Sequence, residues 1–408
     1  MDDRPLTRQR DLRQARPLWL DSPRISPRVR KNPSLRRYDA IVVGAGISGA
    51  LVAHALAGGG RSVLVVDRRM PVRGSSIAST AMIQHEIDQP LTRLQEMIGA
   101  EKATRAWRRS AGAVLRLEET VRTLNLDCGF RRKKALYLSG DDLGARALKA
   151  EAAAREAAGI AARYLDTATL RAEFGLARTG AIESDVSASA NPGQLTAGIL
   201  RDLNRQGVDL VAGVEVTDLR SLASETVLAT ADGRLLSAEH TVFCTGYEFL
   251  ECLADKRHEI ISTWALASRP RLPAPAWLKD YLVWEASDPY LYLRTDSSGR
   301  IVAGGEDESD PEAYRSPEKL RAKSAAIRRK VEKLLGVSIG APDYRWAAAF
   351  GATSTGLPLI GSVPGMTNVH AVMGFGGNGI TFSQIAAEIV AAAVNGARDP
   401  DADLFALE

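Results

Sequence analysis

At 408 residues the chain is long enough for two domains, each with its own core. Its 45% hydrophobic and 25% charged residues are ordinary for a soluble globular protein, and a net charge of +4, much of it in the first 37 residues, does not argue for a nucleic-acid groove. Cys128, Cys244 and Cys252 are widely spaced and form no C-x-x-C pair, so neither a disulfide framework nor a zinc site is suggested and a reducing, cytoplasmic compartment fits, and no apolar run approaches the roughly 18 residues of a membrane span.

Residues 1–37 are rich in arginine and carry Pro5, Pro17, Pro23, Pro27 and Pro33, which oppose regular structure. Leu18, Trp19 and Leu20 within them predict an extended segment lying on the main body. Residues 38–67 then organise the chain. Ile41, Val42 and Val43 form a short apolar run, as a buried parallel strand does. Gly44, Gly46 and Gly49 follow at the spacing G-x-G-x-x-G, a helix covers 50–57, and a second strand, 63–66, ends on Asp67. Gly44 permits the tight turn, Gly46 lets a pyrophosphate reach the backbone, and Gly49 lets helix and strand pack closely. The first turn of the helix, with Ile47 and Ser48, presents free N–H groups to phosphates. Asp67 is placed to accept from ribose hydroxyls, with Arg68 beside it.

Ser75, Ser76, Ser79 and Thr80 cluster next, as phosphate donors or helix caps. Gln84, His85, Glu86 and Asp88 fall within five positions, but His85 lacks a partner at metal-ligand spacing, so no metal site is predicted. Trp107, Val114, Leu117, Val121 and Leu124 recur at helical spacing and predict one amphipathic core helix. A strand at 135–138, an Ala-rich helix at 143–158, a helix opened by Asn191 and Pro192, a hairpin turn at 231–234 and a buried strand into a glycine turn at 241–246 follow. From 258 to 305 the pattern alternates and is rich in aromatics, predicting an antiparallel sheet that walls a pocket. A basic amphipathic helix covers 316–335. The strand 369–373 then runs through a second glycine-rich turn, 374–383, into a helix ending near Val394. One complete G-x-G-x-x-G unit plus this late helix start fits a single bound FAD, with the late helix aimed at the flavin ring.

The motifs GAGISG with Asp67, GSSIASTA at 74–81, FCTG at 243–246, GRIVAGGEDE at 299–308, TSTGLPLIG at 353–361 and GFGGNGI at 374–380 occur in order. With them, residues 38–408 resemble the D-amino-acid-oxidase-like family of FAD-dependent oxidoreductases, whose members include glycine, sarcosine and γ-glutamylputrescine oxidases. The resemblance implies an α/β fold: a Rossmann-type FAD-binding domain with an inserted antiparallel-sheet substrate domain. The division it implies is an N-terminal segment 1–37, an FAD-binding domain of 38–127, 191–255 and 341–408, and a substrate domain of 128–190 and 256–340. Gly44, Gly46 and Gly49 would line the pyrophosphate, Asp67 the ribose, and Ser75, Ser76, Ser79 and Thr80 the path toward the flavin. Val216 would meet the adenine, Cys244, Thr245 and Gly246 would flank the ADP half, and Gly376, Gly377, Asn378, Gly379 and Ile380 would donate to the flavin.

Departures from the family pattern shape the expected chemistry. The family's carboxylate-binding arginines fall at Phe350 and Gly377 here, which leaves Arg294 as the candidate anion clamp. Trp264, Tyr290, Tyr292 and Trp346 complete the candidate substrate pocket. Covalent flavin attachment would need a histidine where Ala78 stands or a late cysteine, so the FAD is expected to be non-covalent. The implied activity is oxidation of a C–N bond of a small amine or amino-acid-like molecule by hydride transfer to flavin N5, with no assigned catalytic base. Oxygen or another acceptor would take the electrons. The alternatives are a dehydrogenase or tailoring oxidase acting on a C–OH or C–C bond, and a non-catalytic flavin-binding protein.

Overall fold

The computed structural model describes residues 5–254 and 257–407. Residues 1–4, 255–256 and 408, at the ends of expected segments, lie outside the described residues.

An eight-stranded sheet carries the dinucleotide unit. Its centre, Arg37–Val43, pairs in parallel with Val63–Asp67 on one side and Leu235–Phe243 on the other. Asp209–Ala212 and Val369–Met373 extend it outward in the same direction, and Leu359–Ser362 adds an antiparallel edge. Both faces are covered, which is why these strands read as unbroken apolar runs. Val42 and Val65 pack under the helices Ile47–Ala57, Pro192–Arg205 and Gly379–Val394. Ile41, Val43, Leu64 and Val66 pack on the opposite side with Leu228, Leu236 and Phe249.

The second sheet has ten strands drawn from separate stretches of chain. His258–Ala267, Leu291–Thr295, Ile301–Glu308 and Tyr344–Thr353 pair antiparallel at its centre. The pairing of Tyr281–Glu285 with Arg131–Leu138 is parallel, an exception to the expected antiparallel pattern. One face is sealed by the helix Pro317–Leu335, whose Leu320, Ile327 and Val331 meet Leu266, Leu293 and Ala303. Ser316 caps that helix by accepting from Lys319 N at 3.1 Å. The other face turns toward the parallel sheet, and the cavity lies between them.

The N-terminal segment lies along the body, but with more regularity than its prolines suggest. Arg13–Gln14 adds a short edge strand to Tyr344–Thr353, and Leu18–Asp21 forms one turn of 3-10 helix. Trp19 is buried there and donates from Nε1 to Ser79 O at 2.7 Å. The core helix read from Trp107 and its partners runs Ala100–Thr123. The strand Gly180–Ser189 carries no period-2 signal because eight of its ten residues are buried, on both faces. Among the described residues no helix is long and apolar enough to cross a membrane.

His370 is buried on the strand Val369–Met373, with its ring 5.8 Å from that of His240. Burial, with His240 nearby, pushes its pKa down to about 4. An unfolded chain takes up that proton near pH 6.5 and the folded chain only near 4, so stability is lost as pH falls through this window. Between pH 7 and 5 the loss is about 2 kcal/mol. In His370→Gln the thermal midpoint is expected to fall less over those two pH units than in the wild type, as read by melting curves at each pH.

Candidate active site

The first glycine turn is shaped by close backbone approach. Gly44 has φ +117°, and a Cβ on it would overlap Cys244 O on the neighbouring strand end. A Cβ on Gly49 would overlap Gly44 O, so only glycine lets this helix reach its strand. Ser76 Oγ accepts from Ile47 N at 2.9 Å and sits 2.9 Å from where a Gly46 Cβ would be. Asp67 accepts from Ala45 N and Arg69 N, each at 2.7 Å. Burial raises its pKa while these two N–H groups oppose the rise.

Beyond Asp67, Arg68 and Arg69 both converge on the buried Glu248. Glu248 Oε1 also accepts from Arg10 N at 2.9 Å, so the N-terminal segment is tied to this end of the site. Thr7 and Leu12 border the cavity here, together with Val216, Cys244, Thr245 and Gly246. Arg68 borders it as well, but its charge is committed to Glu248.

The second glycine turn meets the same space. Gly376–Asn378 leads directly into Gly379–Val394. The two helices touch near their N-termini, where the Ser48 and Ser383 hydroxyls lie 2.8 Å apart. Gly377 N donates to Asp88 Oδ2 at 2.8 Å, Thr381 Oγ1 donates to Gln84 O at 2.9 Å, and Asn378 Nδ2 donates to Glu86 O. The turn is thus laced to the loop 84–88. Behind that loop, Arg155 bridges Glu151 and Glu86 in full burial and stacks on Trp107 at 4.5 Å.

One cavity of about 500 Å³ joins both turns to the antiparallel sheet. Gly44, Gly46, Ile47 and Ser48 border it at one end, Ser75, Ser76, Ser79 and Thr80 along its length, and Gly376 through Ile380 toward the other. Gly49 does not border it, since its role is the helix–strand contact.

The sheet wall carries Tyr290, Tyr292, Thr263, Phe350 and Asp307, with Tyr247 alongside. Tyr290 donates to Asp307 Oδ2 at 3.0 Å. Burial pushes the Asp307 carboxyl up to about 6, against the hydroxyls of Thr263 and Tyr290. Asp88 is likewise pushed up to about 6 by its depth in the protein, opposed by Gly377 N–H. Its side chain nonetheless faces the open cavity, where water reaches it. Filling the cavity would therefore sharpen its shift.

Three of the expected pocket residues stand elsewhere. Arg294 is buried and donates to Thr80 O at 2.7 Å and Ala190 O at 2.9 Å, under the Trp19 ring at 5.2 Å. Its guanidinium joins three segments through backbone carbonyls and does not border the cavity, which removes it as an anion clamp. Trp264 alternates with the cavity-facing Thr263 and so points to the other face, where Lys323 Nζ lies 5.0 Å from its ring. Trp346 Nε1 donates to Ala78 O at 2.8 Å behind the serine-rich loop. Conversely, Asp88, Asp307, Thr263 and Glu248 were not singled out for the site in the sequence. Asp307 lies inside the GRIVAGGEDE motif, and strand alternation from Gly305 was the available signal.

Comparison with known proteins fits this architecture. Residues 39–393 match the FAD-dependent oxidoreductase family termed DAO. The chain belongs to that family, and is an FAD-dependent flavoenzyme with its two-domain fold. A search of curated proteins finds no match. Glycine oxidase from Geobacillus kaustophilus is similar in structure at 21% identity, covering 92% of this chain and 99% of that one, with a TM-score of 0.76. L-proline dehydrogenase from P. horikoshii is similar at 18% identity, covering 91% and 97%, with a TM-score of 0.77. L-amino acid deaminase from Proteus vulgaris is similar at 17% identity, covering 95% and 98%, with a TM-score of 0.74. At these identities the likeness is one of fold.

Two outcomes follow for variants. Gly44→Val or Gly49→Val forces backbone apart at the first turn, so each is expected to purify with a several-fold lower flavin-to-protein absorbance ratio than the wild type. Arg294→Met leaves the Thr80 and Ala190 carbonyls without their donor, at a cost of about 1–3 kcal/mol each. It is expected to lower the thermal midpoint while leaving the affinity for anionic ligands of the cavity unchanged by flavin-perturbation titration.

Proposed function

We propose that this flavoenzyme oxidises a C–N bond of a small amine or amino-acid-like molecule. The observation that supports this most is the single cavity reaching from the Gly44 turn to the polar, aromatic wall of the antiparallel sheet. The FAD would supply the acceptor for a hydride from the carbon next to nitrogen, and would hand the electron pair on to oxygen or another acceptor.

The chain's own residues have distinct parts in this reading. Gly44, Gly46 and the Ile47 and Ser48 N–H groups would hold the pyrophosphate at the first helix start. Asp67, with lone pairs left after its two backbone bonds, would accept from the ribose. Val216 would border the adenine and Cys244, Thr245 and Gly246 the ADP half. Ser75, Ser76, Ser79 and Thr80 would flank the cofactor's midsection. The 376–380 turn draws an anion already, since Gly377 N–H binds the Asp88 carboxylate, and would face the electron-rich edge of the flavin. Ala78 in the early loop and the lack of a cysteine after Cys252 support non-covalent binding.

Tyr290, Tyr292, Phe350 and Tyr247 would exclude water and position the substrate carbon, with the nitrogen neutral so that its lone pair forms the C=N bond as hydride leaves. Water adds to the resulting iminium, and the C–N bond breaks to give a carbonyl compound and an amine or ammonia. Anaerobic mixing with a panel of amines and amino acids is expected to bleach the flavin absorbance for at least one member. Bleaching by NADPH or by alcohols alone would overturn the C–N assignment. Oxygen uptake against dye reduction then identifies the acceptor.

A further inference from the structure

The sheet-side half of the cavity carries charge of one sign. Asp307 stands on the wall, with its Oδ2 accepting from Tyr290 and with the Thr263 hydroxyl beside its carboxyl. Asp88 faces the same space, and its charge opposes ionisation of Asp307. Arg68 and Arg69 are the cationic side chains bordering the cavity among the described residues, and both are bound to Glu248 at the nucleotide end. Lys323 lies behind the sheet, paired with Glu308 at 2.9 Å, and its charge favours ionisation of Asp307 without bordering the cavity. The remaining surface offers π faces, with Tyr290 and Tyr292 5.6 Å apart and Tyr247 and Phe350 6.4 Å apart. A carboxylate bound here would meet two like charges and no cationic side chain on the cavity wall, whereas an ammonium would meet carboxylate oxygen and ring faces.

The reacting nitrogen of an amine must be neutral to form a C=N bond, and a carboxylate beside it would hold its proton in place. The carboxylates therefore suit a different nitrogen. We infer that the substrate is a diamine-type molecule without a carboxylate, in which one nitrogen is oxidised at its C–N bond and a second, kept as ammonium, is held by Asp307. This rests on the C–N oxidation proposed above and names its substrate class. Asp307 is the specificity-determining residue, with Tyr290 fixing its orientation and Asp88 adding to the field.

The test varies tail charge on a constant reacting group. Holoenzyme is mixed anaerobically with 1,4-diaminobutane, butylamine and 4-aminobutanoate, and flavin bleaching is followed. The diamine is expected to act at about ten-fold lower concentration than butylamine, with 4-aminobutanoate the poorest. Bleaching by 4-aminobutanoate or by α-amino acids at concentrations equal to or below the diamine's would overturn the inference while leaving C–N oxidation standing. Binding without turnover is read in parallel from the visible flavin spectrum, with butyltrimethylammonium and pentanoate as probes. The cation is expected to bind about ten-fold more tightly, and Asp307→Asn to lose that preference with its flavin content intact. Equal or tighter binding of pentanoate, or an unchanged preference in Asp307→Asn, sinks the inference whichever substrates turn over. If no amine or amino acid reduces the flavin yet the cation preference holds, the C–N reading fails and the charge selectivity of the site stands.

Discussion

Everything in this protein depends on how closely two helix N-termini approach one cleft. Glycine at 44 and 49 lets the first helix press against its strand until backbone meets backbone. That brings Ser48 to within 2.8 Å of Ser383 on the last helix, although 335 positions separate them. A side chain at either glycine would hold the helices apart and open the cleft between them. Because both helices start at the cavity, both present N–H groups and the positive ends of their dipoles to it. The site is thus electropositive along its backbone although its sheet-side side chains are acidic.

The chain supports this geometry from unexpected directions. The N-terminal segment runs across the body, pairs with an edge of the second sheet and brings Thr7 and Leu12 to the nucleotide end. Glu248 holds Arg68, Arg69 and the backbone of that segment at once. Arg294 and Trp19 tie the serine-rich loop to the sheet from below. A buried guanidinium satisfied by carbonyls stabilises by joining segments whose polar groups would otherwise lack partners, and it remains charged without reaching any ligand.

The parallel sheet and its glycine turns were readable in the sequence because they obey local rules. Apolar runs, glycine spacing and a terminal acid sit within 30 residues of one another. The family resemblance extended that reading to the late turn. The substrate wall was only half readable. Tyr290 and Tyr292 reach the cavity, but the same alternation that places them does not say where a strand leaves the cavity, and Arg294 lies past that point under the N-terminal segment. Trp264 was attractive as an aromatic, yet its neighbour Thr263 faces the site. Asp88 and Asp307 come to line one cavity only through tertiary packing, from positions more than two hundred residues apart. No local pattern announces such a pair.

The most direct measurement is the structure of the protein with FAD bound. The account predicts one FAD spanning the cavity, its pyrophosphate at the N–H groups of 44–48 and its flavin edge at the 376–380 turn, with no bond to the protein. A flavin lying away from the late turn, or a nucleotide held anywhere but the Gly44 turn, would contradict it.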